Sequence, residues 1–117
     1  MERRTTVAIA GKDYEADLAT ISKSFIGFED HGIFTAYLSF RAPAWEQSEP
    51  ARIWSADQLK RYLETVLKTL GANDWSRVQG QEVLVLREHY FGPILGFAHR
   101  SEDRYFLFES LVAEPAQ

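Results

Sequence analysis

SFIGFEDHGIFTAYLSF, residues 24–40, sets two apolar β-type runs on either side of one polar turn, Glu29-Asp30-His31-Gly32. Gly32 supplies the positive φ that closes such a turn, and Asp30 is of a type that turns select. A four-residue turn places Phe28 opposite Ile33, Phe25 opposite Ala36 and Ile21 opposite Phe40, because antiparallel partners count outward from the loop in step. One face of the predicted hairpin then carries Ile21, Phe25, Phe34, Ala36, Leu38 and Phe40. Lys23 falls on that apolar face opposite Leu38, a conflict that a β-bulge or a lysine stem laid along the sheet edge resolves.

Upstream, Val7 to Ala10 and Tyr14 to Leu18 read as a first hairpin about Gly11-Lys12-Asp13. Downstream, Pro43 to Trp54 breaks the pattern and forms the longest expected connection, of the kind that often carries function. Ser55 then opens a helix through a Ser-x-x-Gln capping box with Gln58. Leu59, Tyr62, Leu63, Val66, Leu67 and Leu70 follow at helical spacing, and Gly71 supplies the stop. Asp57 with Arg61 and Glu64 with Lys68 pair at i, i+4 on the outer face. Asp74 caps a short turn through Trp75 to Val78. EVLVLR, residues 82–87, is apolar on both faces and reads as a central strand. His89 to Pro93 turns the chain into a strand over Ile94 to His99, and Arg100 to Arg104 turns it into Tyr105 to Glu109. The predicted class is α+β, an antiparallel sheet or partial barrel of about six strands packed on one main helix, in the order βββαβββ. We read residues 1–117 as one domain with 1–5 and 112–117 as loose tails.

A chain of 117 residues buries roughly 65% of its unfolded surface, enough for one core without staples. It has no cysteine, which excludes disulfides, thiolate metal sites and thiol catalysis. Seventeen acidic against thirteen basic residues give a net charge of −4, a field that repels phosphate backbones and makes nucleic acid an unfavoured partner. The apolar run Val7 to Ala10 is too short for a signal sequence, and no run approaches the ~20 residues of a membrane span. The expected location is therefore cytoplasmic, with no membrane partner.

Candidate chemistry is sparse. Asp30, His31 and His99, with Glu88 or His89 assisting, would make a His/carboxylate metal site if they converged, and a metal-dependent hydrolase or nuclease is the alternative that follows. No G-x-S-x-G elbow or P-loop is present, and no catalytic residue or cofactor is assigned. Trp45, Trp54 and Tyr90 lie outside or at the edges of the regular elements, where aromatic rings anchor interfaces or stack on bases. Nine of the thirteen basic residues are Arg, suited to bidentate recognition of phosphate. Arg41, Arg52, Arg87, Arg100 and Arg104 stand at strand ends or loops, positions from which they would ring a pocket. The candidate binding residues are Glu29, His31, Arg41, Trp45, Trp54, Tyr90, His99 and Arg100. A single-strand nucleic-acid module remains a further alternative, against the charge balance.

EDHGIFTAYL at 29–38, YLETVLKTLGANDW at 62–75, VQGQEVLVLRE at 78–88 and ILGFAHR at 94–100 resemble a group of small proteins encoded by tailed phages and prophages. The resemblance covers about half the chain and carries no catalytic signature. Between Arg41 and Trp54 this chain reads RAPAWEQSEPARIW where the group has a glycine- and aromatic-rich segment. It implies a phage setting in the host cytoplasm. Together with the small size, the acidic charge and the Arg- and aromatic-bearing loops, it leads us to expect a non-enzymatic binding protein. Such a protein would counter a host defence by sequestering a small nucleotide signal or by binding a host defence protein.

Overall fold

A computed structural model describes residues 4–28, 32, 34–49 and 55–111. The fold is α+β. Among the described residues seven strands form an open antiparallel sheet, in the order β4-β3-β2-β5-β6-β7 with β1 also on β2, and one long helix packs on it. The strands are β1 (Arg4–Ile9), β2 (Lys12–Phe28), β3 (Phe34–Ala42), β4 (Trp45–Ser48), β5 (Glu82–Arg87), β6 (Gly96–His99) and β7 (Tyr105–Leu107), and the helix is α1 (Ala56–Leu70). Four strands thus precede the helix where three were expected, because Trp45–Ser48 pairs with β3 instead of remaining loop. β1 begins at Arg4, inside the segment expected to be loose, and pairs Arg4 with Asp17. Its two-residue turn has positive φ at both Ala10 (52°) and Gly11 (81°), the backbone that matches strand twist.

β2 is 17 residues long and serves two partners on one edge, β1 over its first half and β3 over its second. The expected register holds at Ile21, which faces Phe40, but not at the tip. Phe28 faces Phe34, so the connection is residues 29–33, and Phe25 faces Tyr37 rather than Ala36. A bulge between Ile21 and Lys23 absorbs the one-residue offset. The same bulge turns Lys23 out of the apolar face, where its Nζ lies 5.8 Å from the Phe25 ring and 5.7 Å from that of Tyr37. Phe25 therefore belongs to the face opposite the core, stacked on Tyr37 with centroids 5.1 Å apart.

The main core lies between the sheet and α1, built from Ile21, Leu38, Phe40, Val83, Val85 and Phe97 beneath Tyr62, Val66 and Leu70. EVLVLR is central, as its composition predicts: Val83 and Val85 face this core, while Leu86 joins Ile9, Tyr14, Ala16 and Ala98 in a smaller cluster on the other face. Ser55 caps α1 by accepting from the Gln58 N–H at 3.1 Å, and Gly71 ends it. The Gln58 amide also donates to the Leu111 carbonyl at 3.3 Å, tying the helix start to the end of the described chain. On the outer face Glu64 pairs with Lys60 at 3.0 Å. Gly96 has no room for a side chain, since a Cβ there would stand 2.2 Å from the Phe106 carbonyl oxygen. Among the described residues no helix is long and apolar enough to cross a membrane.

Candidate functional site

β2 and β3 separate β5 from β4 in the sheet, and the Arg87 side chain reaches over that face to β4; among the described residues, the group that meets there gathers two of the sequence candidates. Arg87 is the last residue of β5 and points to the helix side of the sheet, as do Val85 and Val83 two and four positions before it. Its side chain is buried, 4% exposed, and donates in three directions: Nη1 to Asp17 Oδ2 at 3.3 Å, Nε to the Gly92 carbonyl at 3.0 Å, and Nη2 to Gln47 Oε1. The guanidinium also lies 4.3 Å from the centroid of the Trp45 ring. Burial lowers the Arg87 pKa and the Asp17 carboxylate opposes that shift, so the group stays charged.

This hub fixes the turn after β5. Gly92 is held from one side by Arg87 and from the other by its own N–H, which donates to the His89 carbonyl at 2.8 Å. The turn therefore presents Tyr90 and Phe91 beside Trp45, with the two rings in an edge-to-face contact at 4.6 Å. Trp45, Gln47, Arg87, Tyr90, Phe91 and Gly92 line a cleft of about 230 Å³. Phe91 is 93% exposed, an unusual state for a phenylalanine in a turn that is otherwise anchored.

Of the sequence candidates, Trp45 and Tyr90 converge here. Arg41 and Arg100 do not: register places them in a row across the opposite face, with Thr20 between Arg41 and Glu82, and Arg100 paired with Glu82. Arg104 donates to the Thr69 carbonyl at the end of α1 and to Glu102. His99 uses Nδ1 to accept from the N–H groups of Ser101, 3.1 Å, and Glu102, 2.9 Å, which makes it the organiser of the β6–β7 turn. Glu29, Asp30, His31, Arg52 and Trp54 lie outside the described residues. Among the described residues no three His, Asp or Glu side chains stand together as a metal site. His89 and Glu88 are exposed, and Glu88 pairs with Lys12.

Two features escaped the sequence. Gln47 sits in a stretch read as loop, and only its pairing opposite Phe40 turns it toward Arg87. Glu49 is buried at the exit of β4, with Oε1 accepting from the Leu38 N–H at 3.1 Å and from the Tyr62 hydroxyl. Its position between Ser48 and Pro50 gives no sign of burial, because a lone carboxylate in a charged, Pro-containing stretch is ordinarily solvated. A second exposed apolar group lies at the hairpin end, where Phe28 (69% exposed), Phe34 (43%) and Ile26 (38%) stand on one face.

The chain matches no family model, no curated protein and no solved structure in these three comparisons.

Proposed function

We propose that this chain is a non-enzymatic binding protein of phage type, acting in the host cytoplasm against a host defence by sequestering a small nucleotide signal. The observation that carries this reading is the cleft between β4 and the β5–β6 turn, where Trp45, Tyr90 and Phe91 gather around a buried arginine. Aromatic faces are the usual platform for a nucleobase. Complete small-molecule sites run to roughly 300–1,000 Å³, so a cleft of about 230 Å³ suits one ring of a ligand with the rest outside. Resemblance of the hairpin, helix and strand phrases to small phage proteins supports the setting. The phosphates receive less support than the base, since Arg87, Arg100 and Arg104 are each engaged by partners within the fold.

Incubation of the purified protein with cyclic mono- and dinucleotides, followed by heat denaturation, tests this reading. Intact nucleotide recovered only after denaturation is the expected result, and absence of uptake contradicts it. A second reading, binding of a host defence protein, is favoured by one observation of its own: Ile26, Phe28 and Phe34 expose a shared apolar face at the end of the long hairpin.

A further inference from the structure

We infer that the free edge of β2 over residues 24–28 is a self-pairing surface, on which β2 of a second copy of this chain adds as an antiparallel strand. The inference goes beyond the nucleotide reading and does not rest on it. β5 and the residues before it occupy this edge only as far as Ile21, whose N–H donates to the Gln81 carbonyl and whose carbonyl accepts from the Gly80 N–H, both at 2.8 Å. Beyond Ile21, among the described residues, β2 pairs only with β3, on its other edge. Leu38 of β3 turns both its backbone groups away from β2: its N–H donates to Glu49 Oε1 at 3.1 Å, and its carbonyl accepts from the Glu49 N–H at 3.0 Å. Its partner Ser24 therefore sits in a non-hydrogen-bonded pair. Alternation along the ladder then directs the N–H and C=O of Ser24, Ile26 and Phe28 to the free edge.

These three outward-facing residues fix the register. A two-fold axis beside Ile26 sets Ser24 against Phe28 of the second copy, Ile26 against Ile26 and Phe28 against Ser24, each pair exchanging two backbone hydrogen bonds. Between them Phe25 stands against Gly27. Each large aromatic thus meets a small residue, and a β-branched pair lies on the axis. From Ser24 to Phe28 the strand holds no proline, charge or bulge, the devices that ordinarily keep an edge from pairing. Charge favours the same order. The two copies of Lys23 stand at opposite ends of the ladder, about 20 Å apart at ~3.3 Å per residue. Glu29 follows Phe28 in the chain and so comes to the end where Lys23 of the second copy stands. Phe28, 69% exposed, and Ile26, 38%, supply the apolar area. With roughly 150–250 Å² per aromatic side chain the contact reaches a few hundred Å² per copy, the size of weak, concentration-dependent associations.

Analytical ultracentrifugation of the full chain from roughly 10 to 500 µM is expected to show reversible association of monomer to dimer. Ile26→Lys and Ile26→Glu each set like charges on the axis and should weaken the dimer about tenfold or more, while an equimolar mixture of the two variants regains it. Hydrogen exchange of the wild type reads the edge without any substitution. The Ser24, Ile26 and Phe28 amides should gain protection as concentration rises, with Phe25 protected throughout by its pairing to Tyr37. A wild type that stays monomeric over this range, or edge amides whose exchange ignores concentration, overturns the inference and leaves the edge to a strand of another protein. A dimer that survives both charge variants, or a mixture that does not regain it, overturns the pairing on Ile26. Nucleotide uptake in the denaturation assay is a separate readout, so the sequestration reading stands or falls independently of these outcomes.

Discussion

Tyr62 of α1 donates its hydroxyl to Oε1 of Glu49 at the exit of β4, and the two buried side chains join the helix to the edge of the sheet. The Leu38 N–H donates to the same oxygen at 3.1 Å. With two donors on Oε1, the proton of the neutral acid belongs on Oε2, which has no hydrogen-bond partner among the described residues. Burial pushes the Glu49 pKa up to about 8, and the two hydrogen bonds only partly oppose that rise.

A definite pH dependence follows. The folded chain keeps a proton on Glu49 that the unfolded chain loses near 4.5, so the contribution of this group to stability is full in acid and falls as pH rises from about 4.5 to about 8. The slope from this group is about 1.4 kcal/mol per pH unit and levels off above its folded pKa. Glu49→Gln keeps an acceptor for Tyr62 and Leu38 and cannot ionise. Urea denaturation at pH 5, 7 and 9 should show the substituted chain gaining on the wild type toward alkaline pH. Parallel profiles for the two chains would show that Glu49 is ionised in the fold.

Arg87→Met should cost about 3–5 kcal/mol, because it takes the Arg87 charge away from the buried Asp17 carboxylate. The same change removes the hold on the Gly92 carbonyl, so the turn after β5 should become an early site of protease cleavage. Arg87→Lys keeps the charge but loses the three-way fork. It should sit between the two in denaturant midpoint. A wild-type midpoint for Arg87→Met would contradict the role of this pair.

Helix α1 was legible almost to the residue, since Ser55, the apolar stripe at 59–70 and Gly71 each act within one element. β5 was legible for a similar reason, its apolar residues on both faces needing neighbours on both sides. The hairpin was read correctly in existence and in one register pair, Ile21 with Phe40. Its tip was not, because one extra residue at a bulge reverses which side chains face the core, and only the misfit of Lys23 signalled it. The candidate site was half visible. Trp45 and Tyr90 stood out as aromatics beyond regular elements, but Arg87 and Asp17 lie 70 positions apart, and nothing local joins them. Arg41 and Arg100 looked equally available until pairing placed them on the opposite face.

Phe28 tests the protein-partner reading independently of the cleft. It is 69% exposed and touches Phe34 edge-to-face at 5.3 Å, so Phe28→Ser should alter stability by no more than about 1 kcal/mol. If a host protein docks on the hairpin, the variant loses that partner in a direct pull-down while still taking up nucleotide. Retention of the partner by Phe28→Ser at wild-type level would remove the hairpin face from the account.

The central claim is that a nucleotide base enters the cleft beside Trp45, and nuclear magnetic resonance of isotope-labelled protein titrated with cyclic nucleotides reads this directly. The account predicts saturable shifts of the Trp45 indole N–H, the Gln47 side-chain amide and the Arg87 Nε–H, with the amides of residues 24–28 unmoved. Shifts confined to the hairpin or to the Arg41–Arg100 row, or no shift at millimolar nucleotide, would contradict it.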